Sequence, residues 1–251
     1  MRARSVARTA EGIVKETDDA VNQVAWLQYV DKTITVDGLR PVKVLKSTRG
    51  SYVMEFVHGS VLADVPNTEI MRKSILCLLA QIEAWEKSPS TNDTSWAEYI
   101  ERLYSHAVYV GSHTGMQAVD IVAAGTPFAR SWCHGDMTLE NILVDTNGVT
   151  MIDPNYQSDL YQSYMLDYGK ILQSTHTSFH AEISPRYGNL WYAREIVEDH
   201  LRDRDQYADA LRACLSHVVR LLSHWPTHTY HIEAIIQNLI RTLAANTKSQ
   251  I

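Results

Sequence analysis

Three oxygen-bearing side chains, Asp136, Asn141 and Asp153, flank a predicted β-hairpin in the middle of the chain. The hairpin is predicted because two short apolar runs stand on either side of Asn147-Gly148, a pair typical of tight two-residue turns. Pairing of those runs brings Asn141 and Asp153 together at the open end of the hairpin. An amide oxygen and a carboxylate are hard ligands, suited to a magnesium ion that also keeps phosphate oxygens and water. Asp136, on the same loop, is placed to accept the proton of an attacking hydroxyl.

Each of these residue types also has a purely structural explanation. Asp, Asn and Gly are enriched in turns because they form local hydrogen bonds or adopt unusual backbone angles, and Asp153-Pro154 could simply end a strand. His-Gly-Asp, an asparagine five residues after the aspartate, an Asn-Gly hairpin and Ile-Asp together have few structural reasons to recur. We therefore favour a nucleotide and metal site, with strands over 142–144 and 149–152.

The first 60 residues are predicted to form a small, mostly β part. β-branched and aromatic residues alternate there with polar ones on both sides of one helical segment. A hairpin is expected at Gly12, and a helix is expected to start at Thr17-Asp18-Asp19. A second strand pair is expected over 42–45 and 52–57.

The rest of the chain is predicted to be mainly helical. Residues 66–125 and the region from about 160 to the end have apolar residues at helical spacing. A β-rich part joined to a helical part by a short connection predicts a cleft between the two.

Composition excludes several other classes of protein. The chain has 251 residues, of which 45% are hydrophobic and 21% charged, which is typical of a globular protein. Its net charge of -6 gives no general attraction to nucleic acid or anionic membranes, and no apolar run approaches the ~20 residues that cross a bilayer. Three widely spaced cysteines fit a reducing cytoplasm better than a secreted disulfide scaffold. We expect a cytoplasmic protein that binds a small molecule, with neither nucleic acid nor membrane as partner.

The segment from His134 to Asp153 resembles the catalytic loop and metal-binding hairpin of the aminoglycoside phosphotransferase and choline kinase family. The loop of that family reads His-Gly-Asp-x-x-x-x-Asn. The resemblance implies that Asp136 is the catalytic base and that the catalytic residue His134 braces the loop. It also implies that Asn141 and Asp153 bind Mg²⁺ and, together with the metal ion, the nucleotide.

A second run, Leu166 to Ser174, is similar to the phosphotransferases of this family found in polysaccharide biosynthesis loci. The resemblance implies that Asp167 holds the backbone of the catalytic loop from a helix beneath it. Without the resemblance, Asp167 would be an ordinary acidic residue near the start of a helix.

The resemblance continues with fewer matching residues into the β-rich part. The segment 13–16 resembles the strand whose lysine reaches the α and β phosphates, which would be Lys15. The segment 52–59 resembles the last strand of the small lobe and the hinge, which implies that the backbone of Glu55 and Val57 hydrogen-bonds adenine. The alternatives are an ordinary strand end and a buried strand that leads into a loop.

The β-rich part also departs from the family pattern. Only fourteen residues precede Lys15, and no G-x-G-x-x-G occurs among them, so the cover over the phosphates is expected to be short. The family's helix glutamate, which pairs with the lysine, has Asn22 and Gln23 as its best-matched positions here. Arg4 or Arg8 could compensate by contacting phosphate in an active enzyme. The alternative is a degenerate kinase that binds nucleotide without transferring phosphate.

The resemblance implies an α+β, two-lobed protein-kinase-like fold, with a reduced β lobe over 1–58 and a larger helical lobe over 59–251. It implies a small-molecule kinase that uses ATP and Mg²⁺ to phosphorylate a hydroxyl of a sugar, amino sugar or amino alcohol. The alternative is a nucleotide-binding regulator without phosphoryl transfer. A sugar-derived acceptor is favoured over an antibiotic. Four acidic residues could attract a cationic acceptor, although a solvated helix face explains them equally well: Asp159, Glu182, Glu198 and Asp199.

Overall fold

The computed structural model describes residues 5–90, 93–155, 161–176 and 190–248. Its strands are β1 Ser5–Arg8, β2 Ile13–Glu16, β3 Leu39–Pro41, β4 Val44–Ser47, β5 Ser51–Met54, β6 Ser60–Val61, β7 Ile142–Asp145 and β8 Gly148–Met151. Its longer helices are α1 Ala20–Thr33, α2 Thr68–Glu86, α3 Trp96–Tyr109, α4 His113–Ala124, α5 Tyr164–His176, α6 Leu190–Asp203, α7 Tyr207–His224 and α8 Thr229–Lys248. Two small sheets accompany a larger helical part, so the α+β fold class is confirmed.

The first sheet is antiparallel with strand order β1-β2-β5-β4. The predicted hairpin at Gly12 is confirmed, with Val6 opposite Lys15. Gly12 has a φ of 147°, and a Cβ at this position would lie 2.3 Å from the Met54 carbonyl oxygen, so the turn requires glycine. The predicted strand over 52–57 is wrong at its end, because β5 stops at Met54. The strand expected over 42–45 begins two residues later, at Val44.

The second sheet has the order β3-β8-β7-β6 and contains the predicted Asn-Gly hairpin. Its register pairs Ile142 with Met151 and Asp145 with Gly148, which confirms the hairpin but places its two-residue turn at Thr146-Asn147, one residue before the predicted Asn147-Gly148. Strand β3 runs parallel to β8, a pairing that the sequence did not indicate. It joins a segment of the β-rich part directly to the β7–β8 hairpin. The boundary between the two parts at residue 58 stays a prediction.

Helix α1 links the first sheet to the loop before Asp136. It begins after Asp19, as predicted. The Trp26 indole donates a hydrogen bond of 2.9 Å to the Cys133 carbonyl oxygen. The ring of Tyr29 stacks on that of Trp132 with centroids 4.0 Å apart. Two contacts one turn apart therefore fix α1 against the loop.

The helical part is built around α5, in which every residue is buried. Helices α2 and α3 have the polar caps expected of stable helix starts: Asn67 accepts from two backbone N–H groups, and Ser95 forms a capping box with Glu98. Helix α5 contacts α7 closely at Gly169, where a Cβ would lie 2.7 Å from the backbone of Ala213 and Cys214. In the part of the chain that the structure describes, no helix is both long and apolar enough to span a bilayer.

Replacing Gly169 by valine should lower the free energy of unfolding by about 1–3 kcal/mol, because the added atoms overlap the backbone of α7. Urea denaturation followed by circular dichroism measures this change. The matched control is Gly50→Val, where a Cβ meets nothing within 4 Å, and a change within about 0.5 kcal/mol is expected. Equal stability of the two variants would contradict the close packing of α5 on α7.

Candidate active site

The hairpin places three oxygen-bearing side chains in the wall of one cavity of about 400 Å³. Asp136, Asn141 and Asp153 all line it, together with Lys15. Asn141 directly precedes β7, and its carbonyl oxygen accepts a 2.9 Å hydrogen bond from the N–H of Ile152. This backbone contact continues the hairpin by one step, so Asn141 and Asp153 both lie at its open end.

The Asp136 carboxylate is held from two sides. Its Oδ2 accepts a 3.1 Å hydrogen bond from the Asn141 amide, which also donates to the Asp136 carbonyl oxygen at 2.8 Å. Its Oδ1 lies 2.9 Å from Nζ of Lys170. Burial raises the pKa of Asp136, but the charge and hydrogen bond of Lys170 outweigh burial and bring it down to about 2. Asp136 is therefore ionised at neutral pH.

Lys15 lies on β2 and is 3% exposed. Its ammonium forms an ion pair with the Asp153 carboxylate. Neither residue expected at the position of the family's helix glutamate contributes a charge: Gln23 accepts a 3.0 Å hydrogen bond from Tyr52, and Asn22 donates to Asp19. Asp153 thus supplies the counter-charge that α1 does not.

Asp153 itself has a φ of 55°, in the left-handed region that is uncommon for residues other than glycine. Such backbone strain persists only where the surroundings enforce it, and it is concentrated at functional sites. Here the strained residue directly follows the hairpin and points its carboxylate at Lys15.

His134 is fully buried, so it supports the loop without lining the cavity. Its Nε2 lies 3.0 Å from the Ile152 carbonyl oxygen, and its Nδ1 accepts from the Asp136 N–H at 3.3 Å. The edge of its ring contacts Trp26, with centroids 5.2 Å apart. Burial lowers the pKa of His134 to about 4, which favours the neutral ring that one donated and one accepted hydrogen bond require.

Asp167 holds the same loop from α5. Its carboxylate accepts hydrogen bonds from the N–H groups of His134 at 2.6 Å and Gly135 at 2.8 Å. Burial raises the pKa of Asp167 to about 7, while these two N–H donors lower it. The contact is the one that the resemblance implied for this residue.

The two residues expected at the hinge lie outside the wall of the cavity that contains Lys15. Both Glu55 and Val57 follow the end of β5, and neither lines the cavity that contains Lys15. The Glu55 N–H donates to the Lys43 carbonyl oxygen at 2.9 Å, and its side chain pairs with Arg40. Val57 lines a second cavity of about 850 Å³. Adenine binding by the backbone of Glu55 and Val57 stays a prediction.

Helices α5 and α7 add cavity residues to which the sequence analysis assigned no role. Lys170 and Gln173 come from α5, and Arg220 and His224 come from α7. Lys170 lies one helical turn after Asp167 and is 8% exposed. A lysine within an otherwise buried helix is a signal that could have identified it, because buried ammonium groups require a partner.

The acidic residues considered for a cationic acceptor do not form a binding site in the described residues. Glu198 is buried and pairs with His176, Arg194 and Arg202. Burial raises the pKa of Glu198, but these three partners bring it far below its usual range. Asp199 pairs with Arg202 on the surface. Asp159 and Glu182 lie outside the described residues.

Asn141 and Asp153 are the residues that could hold a metal ion. The Asn141 amide nitrogen faces two acceptor oxygens, which leaves its amide oxygen for a cation. No group of three or more His, Cys, Asp or Glu side chains suited to a metal occurs among the described residues. Two oxygen donors nevertheless fit Mg²⁺, which binds through one or two protein groups while keeping water and phosphate oxygens.

The fold and this geometry agree with comparison to known proteins. A model of the family described as "Phosphotransferase enzyme family" matches residues 4–158, which include Lys15 and the whole β7–β8 hairpin. The chain belongs to this phosphotransferase family. No curated protein sequence is similar enough to count as a match to this phosphotransferase-family chain.

Solved structures of kinases share the fold of this phosphotransferase-family chain. A fructosamine-3-kinase homologue from Thermobifida fusca has a TM-score of 0.57 at 15% identity, covering 94% of each chain. A choline/ethanolamine kinase family protein from Mesorhizobium loti has a TM-score of 0.54 at 14% identity, covering 96% of this chain and 88% of that one. A thermostable mutant of the aminoglycoside phosphotransferase APH(4)-Ia, in ternary complex with ADP and hygromycin B, has a TM-score of 0.62 at 13% identity, covering 96% and 93%.

Replacing Lys170 by methionine should raise the pKa of Asp136 by at least about 1 unit, because the nearby positive charge is removed while burial remains. Carboxyl ¹³C NMR titration of aspartate-labelled protein measures the pKa of Asp136. In the wild type, the lowered pKa of Asp136 stabilises the folded protein above pH 3.8, and this stabilisation is lost as the pH falls to about 2. The variant should lack this pH-dependent stabilisation. Lys73→Met on the exposed face of α2 is the control. An unchanged titration of Asp136 in the Lys170 variant would contradict the ion pair.

Proposed function

We propose that this protein is an ATP- and Mg²⁺-dependent phosphotransferase that moves the γ-phosphoryl group to a hydroxyl of a small molecule. The observation that carries the proposal is the meeting of Asp136, Asn141 and Asp153 with Lys15 in one cavity. Phosphoryl transfer requires mainly positioning and charge neutralisation, and these residue types supply both.

Asp136 is proposed to bind and orient the acceptor hydroxyl. Because it is ionised at neutral pH, its carboxylate can accept the hydroxyl's hydrogen bond before reaction. The acceptor oxygen forms a bond to the γ phosphorus, and the bond from that phosphorus to the bridging oxygen breaks. The electron pair leaves with ADP, and the hydroxyl proton passes to Asp136.

Lys15, Asn141 and Asp153 are proposed to bind the nucleotide. Lys15 would direct its ammonium toward the phosphates, and Asn141 and Asp153 would hold Mg²⁺ through their oxygens. When bound, the metal ion neutralises phosphate charge. His134 and Asp167 position the loop without touching the reactants.

The acceptor class is proposed as a sugar, amino sugar or amino alcohol. Members of the same fold are described as fructosamine and choline/ethanolamine kinases, and one binds hygromycin B together with ADP. The compounds in these names are all small hydroxyl-bearing molecules. The cytoplasmic location suggested by the cysteines stays a prediction.

The decisive experiment pairs binding with turnover. Thermal unfolding with ATP, with and without Mg²⁺, measures nucleotide binding, and ADP release is then followed over sugars, amino sugars and amino alcohols. Mg²⁺-dependent stabilisation and acceptor-dependent ADP release are expected. Stabilisation without ADP release for any acceptor would favour the regulator.

Asp136→Asn should reduce kcat by about 10²–10⁴-fold, because the amide cannot accept the hydroxyl proton. ATP affinity, measured by isothermal titration calorimetry, should stay within a few-fold of wild type. Asp31→Asn on the exposed surface of α1 is the matched control and should retain full turnover. Undiminished turnover in the Asp136 variant would remove this residue from its proposed role.

Asp153→Ala should abolish the Mg²⁺ dependence of ATP binding, since a carboxylate ligand is lost. Calorimetric titration of ATP at several Mg²⁺ concentrations measures this dependence, with Asp31→Asn again as the control. If the variant and wild type respond to Mg²⁺ in the same way, the metal ligand lies elsewhere.

A further inference from the structure

Arg220 is a half-buried arginine in the cavity wall that has no ion-pair partner among the described residues. It differs in this respect from four arginines nearby in the sequence, Arg194, Arg202, Arg204 and Arg212, which all pair with carboxylates. Guanidinium groups out of bulk water normally have an anionic partner. An anion that binds in the cavity would supply an ion-pair partner for the Arg220 guanidinium.

Both lysines in the described cavity wall are already paired with wall carboxylates. Lys15 pairs with Asp153, and Lys170 pairs with Asp136. The third carboxylate in the wall, that of Glu140, lies beside Ser174 of α5 and forms no ion pair with Arg220. Both lysines are thus paired within the wall, whereas Arg220 forms no ion pair with any described residue.

Arg220 and Asp136 line the same cavity. Its charge contributes to lowering the pKa values of Asp136, His106 and His217, which places the guanidinium within electrostatic reach of the catalytic loop. His224, one helical turn further along α7, also lines the cavity, so this face of α7 presents two nitrogen-bearing side chains to a ligand.

We propose that the acceptor carries an anionic group, a carboxylate or phosphate, which Arg220 binds while the acceptor hydroxyl lies at Asp136. This inference rests on the proposed phosphoryl transfer, and it replaces the amino sugars and amino alcohols of the proposed acceptor class with anionic hydroxyl compounds. The planar fork of guanidinium donors matches two oxygens of a carboxylate or phosphate. A cationic acceptor would instead place its charge against Arg220 and Lys170. Hydroxy acids, uronic acids and sugar phosphates have the required chemistry, and their anionic group is unchanged by the reaction.

Matched acceptors that differ only in charge test the proposal. Glucose, glucosamine and glucuronate form one set, and glycerol, serinol and glycerate form another. ADP release with each gives kcat/KM. The acid of at least one set should exceed its neutral member by about tenfold or more, and the amine should be the poorest. A preference for the neutral or cationic member in both sets would overturn the proposal.

The variant Arg220→Gln identifies the residue responsible. It should lower kcat/KM for the preferred acid by about 10- to 100-fold, mainly through KM, as expected for loss of a charged hydrogen-bonded contact. Neutral acceptors and the Kd of ATP should change little. Arg220→Lys, which keeps the charge but not the fork, should recover part of the loss. The matched control is Arg241→Gln, an exposed arginine of α8 outside the cavity wall.

Two further outcomes show whether Arg220 binds the acceptor or the nucleotide, and whether the anion site is present even if phosphoryl transfer is not observed. An equal loss for all acceptors, with a raised Kd for ATP, would assign Arg220 to the nucleotide phosphates and overturn the acceptor proposal. If wild type releases no ADP with any acceptor, the proposed function fails, and calorimetric titration of glucuronate, glycerate and inorganic phosphate into the ADP-bound protein decides about the site. Binding that Arg220→Gln abolishes would support the anion site, and absence of binding would overturn it.

Discussion

The site depends on one buried carboxylate, that of Asp167, and its two hydrogen bonds to the backbone of the catalytic loop. Each N–H group left unpaired at this depth would cost about 1–3 kcal/mol, so the loop has one strongly favoured position. Gly135 also lets the loop pass close to Asn155: its φ is 78°, and a Cβ there would lie 2.5 Å from the Asn155 carbonyl oxygen. Because Asp167 lies in the fully buried helix α5 and bonds to the loop just before Asp136, the packing of the helical part also fixes the position of Asp136.

Two lysines from opposite parts of the chain balance the two carboxylates at the centre of the site. Lys15 comes from the first sheet, and Lys170 comes from α5. The Lys170 pair keeps Asp136 ionised in a setting where burial alone would favour its protonation. Asp136 is therefore charged before any reactant binds, and Lys15 lies where the proposal places the nucleotide phosphates.

The catalytic hairpin could be predicted from the sequence because its information is local. A tight turn between the two apolar runs sets the register, and the register determines that Asn141 and Asp153 lie at the same end, although the turn lies at Thr146-Asn147 and not at Asn147-Gly148. Other features depend on contacts between distant segments. Strand β3 pairs with β8 across a long stretch of chain, and Lys170 and Arg220 reach the cavity only through the packing of α5 and α7. The apolar pattern of 52–57 predicted a longer strand, but pairing with β4 gives strand geometry only as far as Met54.

The attachment of α1 to the loop before Asp136 bears on how activity can be controlled. In protein kinases, the position of the corresponding helix controls whether the machinery is assembled. Here an outward swing of α1 would break the buried Trp26 bond to Cys133 and separate the stacked rings of Tyr29 and Trp132. Such a movement would therefore cost the free energy of a buried hydrogen bond and of an aromatic stack, so these two contacts hold the helix against the loop in the absence of any reactant.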